Sequence, residues 1–246
     1  KNLVNDQRFS SLVNSRGISA SGVINIPEGA TCIINVNRDV IVNGKIEGQN
    51  VVLPPSNFNN VAGTANINAD ENVVVNGAIN ANLILNSKTL TVEQNGIINA
   101  KEKGYAPGIR DNQQSYCCSS IAGYGCSGAG HVSYGGSGCG SSYCYRTFLA
   151  NNNGYLQKSP PYQYGSGGSN TYRYSSFSCG DYSLDNSLLA GLGGYGGGNI
   201  NINVDTLELG GKIISNGGNA LDKDLKGRDS ERRFAGGGSA GSIYID

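Results

Sequence analysis

The run Val40-Ile41-Val42-Asn43-Gly44-Lys45-Ile46-Glu47-Gly48 returns three times in this chain. Its echoes are Val73-Val74-Val75-Asn76-Gly77-Ala78-Ile79-Asn80-Ala81, then Leu90-Thr91-Val92-Glu93-Gln94-Asn95-Gly96-Ile97-Ile98-Asn99-Ala100. The last, more than a hundred residues on, is Leu207-Glu208-Leu209-Gly210-Gly211-Lys212-Ile213-Ile214-Ser215-Asn216-Gly217. Each copy is a short strand, an Asn-Gly or Gly-Gly corner, and a second short strand. Taken singly, Asn-Gly between apolar runs signals a hairpin. A hairpin does not explain the same unit returning. Val75 and Val92 stand 17 residues apart and Val42 and Val75 stand 33 apart, close to twice that. Recurrence of this length is one turn of a β-solenoid, in which each strand pairs in parallel with its equivalent one turn later.

That pattern sets the expected fold class as all-β, a parallel β-helix. Side chains alternate along a strand, so Ile24 and Ile26, Val40 and Val42, and Val73 and Val75 are expected to stack inward in rows. The polar alternates Asn25, Asn66 and Asn68 face outward or form amide ladders. The corner asparagines and glycines are expected at positive φ, which costs Gly nothing and Asn little. Composition agrees: Gly is 38 of 246 residues and hydrophobic residues are 38%, which suits a narrow core with many turns.

The chain divides into zones. Residues 1–17 carry Leu3, Val4, Phe9, Leu12 and Val13 at a loosely helical spacing that ends at Arg16-Gly17. They read as an N-terminal capping helix, or as an arm for a neighbouring subunit. Residues 18–103 and 196–246 carry the strand pattern. Residues 104–195 differ, holding 13 of the 14 tyrosines and six of the seven cysteines with only Ile109, Ile121 and Val132 as β-branched aliphatics. This stretch reads as a Cys/Tyr/Gly-rich insertion hung from the solenoid. Its cysteines (Cys117, Cys118, Cys126, Cys139, Cys144, Cys179) lack the paired spacing of a zinc site, and the chain has one histidine, His131. Disulfides are therefore expected, in any of fifteen pairings, and with them an oxidising, extracellular setting at the cell surface. Cys32, between Thr31 and Ile33, reads as a small buried hydrophobe rather than a reactive thiol.

Charge excludes some functions. Lys plus Arg (18) equals Asp plus Glu (18), leaving no basic surface for nucleic acid, and no apolar run approaches the eighteen residues of a membrane span. Nine charges from Asp222 to Arg233, acids interspersed with bases, read as a solvated loop. With no methionine in the sequence, Lys1 is expected to mark processing or the start of a fragment. No Asn-x-Ser/Thr acceptor occurs despite abundant Asn and Ser. Either the source does not N-glycosylate this protein, or a surface free of N-glycans serves close packing.

The ordered motifs at 123–131 (Gly-Tyr-Gly-Cys-Ser-Gly-Ala-Gly-His), Tyr164-Gly165-Ser166, 194–202 (Gly-Tyr-Gly-Gly-Gly-Asn-Ile-Asn-Ile), 211–218 (Gly-Lys-Ile-Ile-Ser-Asn-Gly-Gly) and 236–245 (Gly-Gly-Gly-Ser-Ala-Gly-Ser-Ile-Tyr-Ile) carry a resemblance. Residues 38–246 resemble the glycine-rich parallel β-helix modules of large extracellular and surface proteins of protists, algae and some bacteria. The resemblance implies an adhesin-like, coat or fibre component, with a location and a structural role but no reaction. The cysteines and the tyrosine-rich insertion depart from its usual pattern.

Parallel β-helices also host polysaccharide lyases and glycoside hydrolases, whose chemistry needs two carboxyls on one face. Asp70 and Glu71 are adjacent, Asp205 and Glu208 are three apart, and each pair points to opposite faces of a strand. Asp181 and Asp185 fall in the insertion. The carboxylate motifs of polygalacturonase-like and pectate-lyase-like enzymes are missing, and His131 reads as a turn residue rather than a triad member. The expectation is no enzyme, no cofactor and no metal. Glycine runs such as 236–241 lack the Lys-Ser/Thr of a phosphate loop and read as coil corners. Tyr124, Tyr134, Tyr143, Tyr145, Tyr162, Tyr164, Tyr172 and Tyr174 are candidates for a subunit interface or for stacking on sugar rings. The expected function is a structural subunit that self-associates or joins neighbouring subunits in a surface assembly. The alternative is a carbohydrate-binding adhesin module.

Overall fold

The computed structural model describes residues 18–53, 60–107, 109–110, 113–114, 164–165, 167–168, 171–172, 189–219, 221–222 and 237–246. Among them the chain is all-β, with no helix. The segment 1–17, the six clustered cysteines, His131, Asp181 and Asp185 lie outside the described residues, as does most of the charged run 222–233.

The strands follow in short succession: β1 (Ile18–Ala20), β2 (Val23–Ile26), β3 (Thr31–Val36), β4 (Val40–Val42), β5 (Lys45–Gly48), β6 (Thr64–Ala69), β7 (Asn72–Val75), β8 (Ala78–Asn80), β9 (Asn82–Val92) and β10 (Ile97–Asn99). Then come β11 (Ile109–Arg110), β12 (Gln113–Gln114), β13 (Thr171–Tyr172), β14 (Leu189–Leu192), β15 (Asn199–Leu209), β16 (Lys212–Ile214), β17 (Leu221–Asp222) and β18 (Ser242–Ile245). Two small antiparallel sheets join β11 to β12 and β13–β14–β17. All other pairing is parallel, in one eight-stranded and one five-stranded sheet.

The parallel strands form three stacks. The first is β3, β6, the first half of β9, the first half of β15, then β18. The second is β1, β4, β7 and the second halves of β9 and β15. The third is β2, β5, β8, β10 and β16. The repeats found in the sequence are thus in register, with Val40 opposite Val73, Val73 opposite Leu90, and Leu90 opposite Leu207. The Asn-Gly corners join consecutive strands that pair with different stacks, and none closes a hairpin.

Register turns alternation into columns. Ala65, Leu83 and Ile200 align, as do Ile67, Leu85 and Ile202, and Ile46, Ile79 and Ile98. All are buried, together with Val40, Val42, Val73, Val75, Leu90 and Val92, in one core cluster. Ile26 is buried and Ile24 half-buried against the same cluster. Each fully buried Val, Leu or Ile contributes about 1.5–3 kcal/mol, so the columns are the main driving force for the stack.

Outward alternates form amide ladders. Asn68 Nδ2 donates to Asn35 Oδ1 at 2.8 Å, and Asn86 Nδ2 donates to Asn68 Oδ1 at 2.7 Å. Asn76 donates to Asn43 (2.8 Å), Asn72 to Asp39 (2.8 Å) and Asn80 to Glu47 (3.0 Å). A primary amide carries a donor and an acceptor, so equivalent residues in register can hand one bond along the stack. In all five bonds the later strand donates to the earlier one.

One expectation is corrected. Among the described residues, positive φ occurs only at Gly29 (66°) and Glu102 (62°), not at the repeated corners. The corners need Gly for another reason. A Cβ on Gly44, Gly77, Gly96 or Gly211 would sit 2.0–2.1 Å from a carbonyl oxygen of the strand or corner before it in the stack. Corner backbones press directly on one another, and that approach, rather than handedness, excludes a side chain.

Candidate functional site

Where β5, β8, β10 and β16 end, the chain leaves the strand ladders and enters glycine-rich backbone. Here residues 193–198 are surrounded by other segments. Gly194 O accepts from Gly168 N (2.8 Å) and Gly197 O from Gly165 N (2.7 Å). Tyr195 O accepts from Gly218 N (2.7 Å), and Gly198 O accepts from Ser215 Oγ (2.5 Å). Gly196 exchanges bonds with Gly104 and Tyr105 at 2.8 and 2.9 Å. Partners therefore recur every third residue, the period of an extended polyproline-II-like chain whose backbone groups point in three directions. Packing of this kind has no room for side chains: a Cβ on Gly194, Gly238 or Gly241 would meet backbone oxygen at 2.0, 1.9 and 1.8 Å. Residues 104–107, 164–165, 167–168 and 193–195, all from the segment read as an insertion, lie in this wall.

Aromatic side chains cover the wall. Tyr105 and Tyr164 meet edge to face, centroids 6.0 Å apart at 78°. They pack with Val51, Val61, Ala106, Leu53 and Tyr195, and the Tyr195 hydroxyl donates to Val51 O at 2.8 Å. Burial raises the Tyr164 phenol pKa, partly countered by a hydrogen bond with Thr64. Burial raises Tyr195 as well, helped by the negative charges of Glu28 and Glu102. Both rings serve packing. Of the other tyrosines proposed for an interface or a glycan, Tyr172 is placed on β13 and Tyr124, Tyr134, Tyr143, Tyr145, Tyr162 and Tyr174 lie outside the described residues.

Two buried polar residues that the sequence did not single out hold the wall to the stacks. Asn82 Nδ2 donates to Ala62 O (2.9 Å) and Lys103 O (3.0 Å), while its Oδ1 accepts from Asn199 N (2.9 Å). Lys103 Nζ reaches Gly48 O (2.7 Å), Asn50 Oδ1 (2.9 Å) and Glu47 Oε1 (3.2 Å). Three donors meet three acceptors, which leaves the ammonium no spare proton to direct at a ligand. Asn82 stands at the start of a strand-like run, where only its polarity amid apolar neighbours hinted at a buried role.

The acids are dispersed. Glu71 pairs with Lys88 at 3.0 Å, Glu208 accepts from Thr91 Oγ1 at 3.0 Å, and Glu28 accepts from Val52 N and Asn60 Nδ2. Asp70 and Asp205 are exposed. Among the described residues no three His, Cys, Asp or Glu come close enough to hold a metal ion, and no helix is long and apolar enough to cross a membrane. Cys32 is half-buried against the core and free, and burial raises its thiol pKa. A raised pKa keeps it protonated and weakly nucleophilic, the behaviour of a packing residue.

The chain matches no family model, and neither a curated protein nor a solved structure is detectably similar to it.

Proposed function

We propose that the three stacks are the faces of a β-solenoid, and that the chain is an extracellular structural subunit of a surface fibre, filament or coat. The observation that carries this reading is the repeated row. Aliphatic columns, corner glycines and amide ladders recur at equivalent positions from one strand to the next. A chain organised in this way supplies a stiff rod with chemically repetitive faces. The six clustered cysteines would cross-link the insertion in an oxidising setting, and self-association would run through the solenoid ends and that insertion. No catalytic, metal or cofactor role is proposed.

Electron microscopy of native material, with labelling by an antibody to the chain, tests this. Labelled fibres or a labelled coat support the proposal; label confined to a soluble intracellular pool overturns it. The second reading, a carbohydrate-binding adhesin module, is favoured by the tyrosine content of 104–195. A glycan array probed with Tyr→Ala variants in that segment separates the two, because a sugar platform loses binding while assembly persists.

A further inference from the structure

The three stacks each hold five strands, but they are not flush. At one end the first stack starts with β3, while the second and third have already begun with β1 and β2. At the other end the second and third stacks stop at β15 and β16, while the first adds β18. Among the described residues no strand pairs with the outer edges of β1, β2 and β3, or with those of β16, β18 and the second half of β15. The overhang at one end matches the recess at the other.

Three further observations sit at these ends. The columns stay apolar to the last strand: Ile243 aligns with Ile200 and Ile245 with Ile202, yet they are 45% and 43% exposed where their partners are 0%. Leu209, aligned with the fully buried Val92, is 52% exposed. The amide ladder is polar. Asp246 N donates to Ile202 O and its C=O accepts from Val204 N, which places it opposite Asn203, in the row Asn35–Asn68–Asn86–Asn203. At the far end of that row Asn35 takes a bond on Oδ1 and points the sense of the ladder outward with an amide donor. Finally, Gly22 has nothing within 4 Å of where a Cβ would lie, although Gly44, which packs on Gly22, and Gly77 above it are sterically required to be glycine. In each of those, and in Gly211, the missing Cβ points toward the corner before it. Among the described residues of one chain, the glycine at 22 has no such neighbour.

From this we infer that a second copy of the chain docks head to tail, resting on the solenoid reading above. Its β1 and β2 pair on the second half of β15 and on β16, and its β3 pairs on β18. Column then continues into column, with Cys32 and Ile34 of the incoming copy over Ile243 and Ile245. Asn35 donates to the Asp246 carboxylate, an acceptor, in the same later-to-earlier sense as the Asn68→Asn35 and Asn86→Asn68 bonds. Gly22 takes up the corner position on Gly211. Each junction leaves the same two ends free, so the contact is heterologous and propagates into a filament.

The test uses the whole chain in sedimentation velocity over a wide concentration range. Wild type should grow beyond dimer. Gly22→Ala should remain monomeric, its association weakened about ten- to a hundredfold by overpacking at the junction, with urea midpoint and far-ultraviolet circular dichroism unchanged. Ile243→Lys with Ile245→Lys should also be monomeric. Mixing that variant with Gly22→Ala should give dimers and nothing larger, because each retains one competent end. Asn35→Asp should weaken association about tenfold by opposing two carboxylates, and adding Asp246→Asn should restore it. Association of Gly22→Ala equal to that of wild type, or a mixture that stays monomeric, overturns the docking. A crystal structure of the Gly22→Ala chain distinguishes the failures: where the wild type never associates, wound coils in that structure remove the docking alone, whereas unwound flat sheets remove the solenoid reading with it.

Discussion

Alanine at Gly77 should destabilise the fold, while alanine at Gly22 should not. Both glycines occupy the same corner position, and neither has positive φ. A Cβ on Gly77 would lie 2.0 Å from Gly44 O and 2.8 Å from Asn43 O. Relief requires the two corners to separate by roughly 1.5 Å, since carbon atoms pack against their neighbours near 3.5 Å. Such a shift takes with it the bonds from Asn76 N and Gly77 N to Val42 O (3.0 and 2.8 Å) and from Ala78 N to Gly44 O (2.9 Å). Three backbone bonds at about 1 kcal/mol each give about 3 kcal/mol, before any loss of column packing. Restricting the unfolded chain returns about 0.4–1 kcal/mol, so the net expectation is destabilisation by about 2–4 kcal/mol. At Gly22 only the unfolded-state term applies, and the change should be zero or slightly stabilising. Urea denaturation, done at concentrations low enough to hold the protein monomeric, reads both as midpoint shifts at constant slope. Equal midpoints for the two variants would refute the stacking explanation of these corners.

Two other substitutions and one labelling experiment follow from the geometry. Asn82→Ala should cost about 3 kcal/mol by leaving Ala62 O, Lys103 O and Asn199 N without that partner, read as a lower urea midpoint. Tyr195 has a raised pKa, so its phenol is held neutral in the fold and the unfolded chain ionises first. The stability this contributes is complete below the ordinary tyrosine range and is lost as pH rises through the raised value. Tyr195→Phe should therefore flatten the alkaline fall in melting temperature while lowering stability near neutrality by about 1 kcal/mol, the usual worth of its bond to Val51 O. Cys32, half-buried with its thiol pKa raised, should be alkylated several-fold more slowly in the native chain at neutral pH than in urea, as quantified by peptide mass spectrometry. Equal rates would contradict its place against the core.

Much of the architecture is legible along the chain because a parallel stack repeats one local pattern. Val40, Val73, Leu90 and Leu207 can be aligned by eye, and the structure pairs them in that order. The alternation that buries Ile67 and Ala69 also sets Asn68 where it hydrogen-bonds to Asn35 across strands and to Asn66 within its own. The wall is harder to read, since its order comes from backbone contacts between segments far apart in sequence, and glycine carries no side chain to mark its partner.

What the sequence determined by itself is the period, the parallel pairing it demands, and the alternation of apolar and amide positions, because each is a property of neighbouring residues. Tertiary structure alone decided why the corners are glycine, since positive φ and close approach look identical in a sequence and only the position of Gly44 O above or below Gly77 tells them apart. It also decided that Lys103 is buried among Glu47, Gly48 and Asn50. Those contacts depend on how many residues separate one strand from its partner, and side-chain pattern within a strand carries no record of that length.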